Sequence, residues 1–134
     1  MKLYIDTTHQ NGFLVALIDD QCKIAHSIRV NTSFCEAELL TPTLVQLLRE
    51  ASLAFFDISE MWVITGPGGF TAVRIGVTVA NALAFALRVS VRGVQRHAID
   101  EAMESLLKRL LATEPTSLVA PIYDRPPNIT QSKL

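Results

Sequence analysis

Trp62-Val63-Ile64-Thr65-Gly66-Pro67-Gly68-Gly69-Phe70-Thr71-Ala72-Val73-Arg74-Ile75-Gly76 decides the fold of this chain. It reads as a buried strand, a glycine turn and the start of a long apolar helix. Met61 to Thr65 is short, apolar and ends at a turn signal, as buried strands do. Gly66, Gly68 and Gly69 permit positive φ, and Pro67 fixes its own. Thr71 stands where an N-cap is needed, and the helix is expected from about Ala72 to about Arg88. Two readings fit the loop. Free amides at a helix N-terminus can hold a phosphate, and a tight strand-to-helix connection needs glycine for steric reasons alone. No lysine follows the last glycine and no G-x-G-x-x-G spacing is present, which favours the steric reading.

The helix that follows is apolar almost all round. Arg74, Thr78, Asn81, Phe85 and Arg88 make one narrow stripe at helical spacing. Val73, Ile75, Val77, Val79, Leu83 and Leu87 occupy most other positions. Such a helix lies deep in a core or against a partner, and a chain this short offers little depth. Gly76, Ala80 and Ala84 are small and four apart. They let a second helix approach closely, or they seat this helix on its own sheet.

The remainder bounds the class. A chain of 134 residues is one domain, two at most if the second is a fragment, and 49% hydrophobic residues suffice for a core. A net charge of −1 gives no global reason to grip nucleic acid. Cys22 and Cys35 are too few for a disulfide framework and lack metal-site spacing, so both read as reduced thiols in a cytoplasmic protein. The N-terminus carries no signal-peptide run. The apolar stretch between Arg74 and Arg88 is shorter than the ~20 residues of a membrane span.

Taken in order, Leu3–Ile5, Phe13–Ile18 and Lys23–Val30 read as three strands joined by tight turns, an antiparallel meander. Ile24, His26, Ile28 and Val30 share a face of the third, which makes His26 a half-buried strand histidine. Ser33-Phe34-Cys35-Glu36 fits a capping box, and a helix is expected within Cys35 to Leu53. Pro42 either kinks it or opens it behind Thr41. Val89 to Val94 is a short strand. Gln95 to about Ala112 reads as an amphipathic helix, with Ala98, Ile99, Ala102, Met103, Leu106 and Leu110 inward and Arg96 and His97 outward. Leu118-Val119-Ala120 reads as a short strand in a proline-rich tail, and Asn128-Ile129-Thr130 is a sequon without meaning in a cytoplasmic chain.

Gly66 to Gly76 resembles the G-P-G-S-F-T-G-hydrophobic-R-I-G signature of the TsaB (YeaZ) family, with Gly69 in place of Ser and Ala72 in place of Gly. Glu36 to Pro42 is similar to that family's H-S-x-x-L-L-P stretch without its His and Ser. Val91 to Ala102 is similar to V-x-G-V-S-S-L-E-A-L-A. Pro121-Ile122-Tyr123-Asp124-Arg125-Pro126-Pro127 resembles its closing P-x-Y-x-R-x-P segment. Ile5-Asp6-Thr7-Thr8 followed by a turn and a strand also resembles the first phosphate hairpin of the actin and sugar-kinase superfamily. There the Asp holds hydrated magnesium and the hydroxyls face phosphate; in any chain, Asp and Thr also simply favour turns.

These resemblances imply an α/β chain with a single actin-like (ASKHA, ribonuclease-H-like) lobe over residues 1–112. Its sheet would be five-stranded and mixed, with three helices. An extended tail would follow over 113–134, about fifteen residues standing where the family carries a second lobe. They imply a non-catalytic subunit in synthesis of N6-threonylcarbamoyladenosine on tRNA. It would dock on a TsaD-like enzyme through the face formed by its first two helices, about Cys35 to Leu53 and Ala72 to Arg88, beside a TsaE-like ATPase, and would meet tRNA only through the complex. The same face can form a homodimer. The expected contact residues are Leu40, Leu44, Leu47, Val73, Arg74, Val77, Asn81 and Ala84. No catalytic residue, metal or cofactor of its own is expected, with ATP and magnesium confined to the assembled complex. One alternative is a weak nucleotide-binding ATPase using Asp6, Thr7, Thr8, Gly66, Gly68 and Gly69. Another is a degenerate homolog that dimerises with itself.

Overall fold

The computed structural model describes residues 1–123. Its five strands are β1 (Lys2–Asp6), β2 (Gly12–Ile18), β3 (Ile24–Asn31), β4 (Glu60–Gly66) and β5 (Ser90–Gln95). They form one mixed sheet in the order β3-β2-β1-β4-β5. β1, β2 and β3 pair antiparallel. β4 and β5 add in parallel beside β1. Leu17, Leu3, Met61 and Val91 lie in one row across the sheet, and Ala16, Tyr4, Trp62 and Arg92 in the next. Because side chains alternate along a strand, the first row faces one side and the second the other.

Both sides are covered, which is why β1, β2 and β4 are almost continuously apolar. Helices α1 (Glu36–Glu50) and α2 (Phe70–Leu87) pack over Leu3, Phe13, Val15, Leu17, Met61 and Val63. On the opposite face, Leu106, Leu107 and Leu110 of α3 (Met103–Ala112) pack over Tyr4, Ala16, Trp62 and Ile64. The result is three layers. β3 is an edge strand: only Ile28 and Val30 reach the core, while Ile24 and His26 are exposed. The half-buried place expected for His26 is not found, because no layer extends that far.

α2 is long and apolar enough, by length and composition, to cross a membrane. Here Val73, Gly76, Val77, Ala80 and Ala84 are buried. A Cβ on Gly76 would stand 2.4 Å from Thr7 Oγ1. The small residues four apart therefore seat α2 on its own sheet. The helix starts at Phe70 with Gly69 as N-cap, two residues before the position of Thr71. Its carboxyl end closes on Arg88 in the left-handed region, where the Val89 amide donates to Ala84.

Pro42 lies inside α1, and Cys35 is the N-cap without a side-chain cap. The capping box of Ser33 and Glu36 does not form, because Phe34 has φ +66° and turns the chain just before the helix. Pro42 removes the bond to the Glu38 carbonyl; both residues are exposed, so water can take that carbonyl. α3 is shorter than expected. Residues 96–102 form an irregular loop, and Ala98, Ile99 and Ala102 are exposed rather than inward. Residues 113–123 run extended. Instead of a strand at Leu118–Ala120, Thr116 makes an isolated bridge to Val91. The sequon, and the closing segment from Asp124 onward, lie outside the described residues.

Candidate functional site

The carboxyl ends of β1, β4 and β5 point to one edge of the sheet, where open α/β sheets bind ligands. A cleft of about 840 Å³ opens there. Thr8, His9, Gly68, Gly69, Phe70 and Arg96 are among its lining residues, and Phe34 and Ile99 stand at it as exposed apolar side chains.

Behind the cleft lies Asp6, fully buried at the end of β1. Its Oδ1 accepts from the Thr8 amide at 2.9 Å and the Thr8 hydroxyl at 2.5 Å. Its Oδ2 accepts from the Tyr4 hydroxyl at 3.2 Å and pairs with the Arg96 guanidinium. His9 Nε2 lies 3.4 Å from the same Oδ2. That is close enough for attraction, yet it is not aligned as a hydrogen bond. Burial alone would raise the Asp6 pKa. His9, the Thr8 hydroxyl and the Arg96 charge outweigh it and bring it to about 2. Burial, and next the Asp6 charge, hold the Tyr4 phenol well above its ordinary range, so it remains a donor. Both carboxylate oxygens are thus engaged by protein donors.

The six residues named for nucleotide divide between the cleft and the interior. Thr8, Gly68 and Gly69 line the cleft. Thr7 is buried and donates its hydroxyl to the Ala72 carbonyl at 2.7 Å, which ties β1 to α2. Gly66 has φ +135°, and a Cβ there would meet the Ile122 carbonyl at 1.8 Å. Asp6 is paired with Arg96, and the Ile122 carbonyl lies over Gly66. Among the described residues no group of three or more His, Cys, Asp or Glu could hold a metal ion.

The residues named for a partner also divide. Leu40, Leu44, Leu47, Val73, Val77 and Ala84 are buried in this chain's own core. They are the inner faces of α1 and α2, since apolar periodicity marks the face turned to the sheet. Asn81 is taken by the tail: its Nδ2 donates to the Val119 carbonyl at 2.9 Å, and its Oδ1 accepts from the Val119 amide at 3.0 Å. Arg74 is exposed, its guanidinium 4.4 Å from the centre of the Phe70 ring. The outer surface of the two helices presents Leu39 and Val45, 37% and 39% exposed, with Thr78, Ala82 and Phe85.

Arg96 is the site residue that helical periodicity misplaces. It follows β5 directly, its amide donates to the Gly66 carbonyl at 2.6 Å, and its side chain turns in to Asp6. The signal lies in the topology: β4 alone separates β1 from β5, so residues just past their carboxyl ends meet. Glu101 organises the rest of that loop. It accepts from the His97 amide at 2.8 Å and the Ser105 hydroxyl at 2.7 Å, and it pairs with Arg109 at 2.9 Å. Burial would raise its pKa; these donors outweigh it and bring it to about 2.

Residues 33–120 match the family model described as TsaD: tRNA N6-adenosine threonylcarbamoyltransferase. Over 85 residues the chain is 35% identical to the tRNA threonylcarbamoyladenosine biosynthesis protein TsaB of Bacillus subtilis, covering 62% of this chain and 33% of that protein. Over 57 residues it is 42% identical to a tRNA N6-adenosine threonylcarbamoyltransferase of Bacillus thuringiensis, covering 42% of this chain and 17% of that one. The solved structure of YeaZ from Pseudomonas aeruginosa superposes with a TM-score of 0.64 at 33% identity, covering 70% of this chain and 43% of that one. The chain therefore spans about a third of the length of the Bacillus subtilis relative and under half of the YeaZ chain.

Proposed function

From the membership of this chain in the threonylcarbamoyltransferase family, on its TsaB (YeaZ) side, we propose that it is a non-catalytic subunit in the synthesis of N6-threonylcarbamoyladenosine on tRNA. It docks on a TsaD-like catalytic subunit, works beside a TsaE-like ATPase in the cytoplasm, and meets tRNA only through the assembly. The observation that supports docking is the outer surface of α1 and α2. The two helices share one face of the sheet, and their outward residues Leu39, Val45, Ala82 and Phe85 are apolar. An interface of standard size, ~1,600 Å², would take that surface out of water. The contact residues are then these outward ones with Arg74 and Thr78, not the leucines beneath them.

Size-exclusion chromatography with light scattering, on the chain mixed with the threonylcarbamoyltransferase of the same source, tests this. Co-elution is expected, and Val45→Glu or Ala82→Glu should abolish it without shifting the thermal midpoint of the isolated chain. Co-elution that survives both substitutions would remove this face from the interface. A stable homodimer that ignores the enzyme would favour the self-associating homolog. The ATPase alternative is tested by thermal shift with MgATP, which the closed Asp6 pair leads us to expect to be zero.

A further inference from the structure

The tail contacts at Asn81 and Gly66 belong to one continuous path. After Thr113 the chain leaves α3, whose final carbonyls at Leu111 and Thr113 are held by Arg92 Nη1. It then crosses the edge of β5 and the start of α2. Thr116 exchanges backbone bonds of 2.8 and 2.9 Å with Val91. Val119 gives both its amide and its carbonyl to the Asn81 side chain. The Ile122 amide donates to Thr65 at 2.6 Å. Tyr123 stacks on Phe70, ring centres 4.3 Å apart and planes 25° from parallel. Two residue identities in the body follow from this path. Only a residue without a side chain leaves room at Gly66 for the Ile122 carbonyl. Asn81, a weak helix former inside α2, offers the same donor–acceptor pair that a neighbouring strand would offer.

We infer that Asn81, Thr65, Gly66 and Phe70 form a recognition groove for an extended segment, and that its occupant, Thr116–Tyr123 of this chain, is a latch on the cleft. The latch holds the glycine turn from outside while Arg96 holds it from inside. Gly66 carries the Ile122 carbonyl against its Cα and gives its own carbonyl to the Arg96 amide. The Arg96 side chain in turn fixes Asp6 and Thr8. Phe70, a wall of the cleft, contacts both the Tyr123 ring and the Arg74 guanidinium. The segment is only half anchored by apolar contact: Val119 and Tyr123 pack partly buried against the core, whereas Leu118 is 69% exposed and Ile122 42%. A segment outside the helices and strands, held by a few hydrogen bonds and two partly buried side chains, opens locally before the whole molecule unfolds. When the latch opens, the glycine turn and the Arg96 amide loosen with it, so the shape of the cleft depends on a segment far from it in sequence.

Amide hydrogen exchange on the full chain tests the coupling. In Asn81→Leu and in Tyr123→Ala, the amides of Val119 and Ile122 should exchange at least ~10-fold faster. The Arg96 and Val73 amides, bonded to Gly66 and Gly69, should accelerate with them, while the β2 amides keep their rates. If Val119 and Ile122 accelerate and Arg96 and Val73 do not, the tail is a passive extension and the latch is wrong. If neither substitution releases Val119 and Ile122, the groove is wrong. Tyr123 lies outside the helices and strands, so its alanine variant gives the reading even if Asn81→Leu does not fold.

Discussion

The Asp6–Arg96 pair joins two strand ends separated by β4, and both side chains are nearly out of water. Removing one partner of such a pair strands the other charge, at about 3–5 kcal/mol. Asp6→Asn and Arg96→Met should each lower the unfolding free energy from urea titration by that order, and the double variant should lose clearly less than their sum. Equal additivity would show that the two groups do not depend on each other. The acid limb carries the same information. Folding depresses the Asp6 pKa from its ordinary 3.8 to about 2, so in that window the unfolded chain binds more protons. Asp6 therefore adds stability above about pH 4, and that contribution falls away as pH drops toward 2, by roughly 2 kcal/mol. Glu101, also brought to about 2, acts in the same direction. Unfolding measured between pH 5 and 2 should steepen accordingly, and in Asp6→Asn the slope should be shallower. Asp6 stands out in the sequence, because a carboxylate and two threonines after an apolar strand mark a turn with chemistry in it. Arg96 does not stand out: its reason is a charge 90 residues earlier, and local spacing records only neighbours on the same helix.

Among the elements, α2 is the most constrained and was the most legible. Strand, glycine turn and helix follow from the apolar run and its punctuation. The separation of inner from outer face does not, because α2 is apolar on both. What resolves it is Gly76, whose Cα approaches Thr7 so closely that even a methyl group would displace the hydroxyl that holds Ala72. Gly76→Val should cost about 1–3 kcal/mol by overpacking, read as a lower thermal midpoint, whereas Ala82→Val on the outer face should change it by less than ~0.5 kcal/mol. Equal losses at the two positions would mean that α2 is not seated as described. α3 shows the opposite case. Its inner leucines were legible from their spacing, but its start was not, since residues 96–102 continue the helical pattern while their polar groups are spent elsewhere. The Arg96 amide goes to Gly66 and the His97 amide to Glu101, and the backbone between them and Ala102 is spent on loop turns rather than on a first helical turn. The leucines of α1 repeat the lesson: periodicity marked them correctly as one face, and only the structure could say that the sheet itself covers it.

At the scale of the molecule, the mixed topology was legible because an antiparallel meander followed by strand–helix–strand permits few right-handed solutions. The assignment of layers was less so, because β1, β2 and β4 are apolar on both faces and carry no mark of which helix lies where. The structure puts α1 and α2 on one side and α3 alone on the other, with the sheet as their common floor. A floor shared in this way couples the layers. Leu44 packs above it, and Trp62, the sole tryptophan, lies in the layer below with Leu106, Leu107 and Leu110. If the sheet melts as a unit, a cavity made above it must be felt by the fluorophore beneath. Leu44→Ala should therefore cost about 2–5 kcal/mol and lower the Trp62 fluorescence midpoint as much as the far-ultraviolet circular dichroism midpoint. Leu107→Ala should move both midpoints together as well. Coincident transitions are the mark of two-state unfolding. A Trp62 midpoint that stays in place while the dichroism midpoint falls in Leu44→Ala would instead mean that the two cores are separate cooperative units.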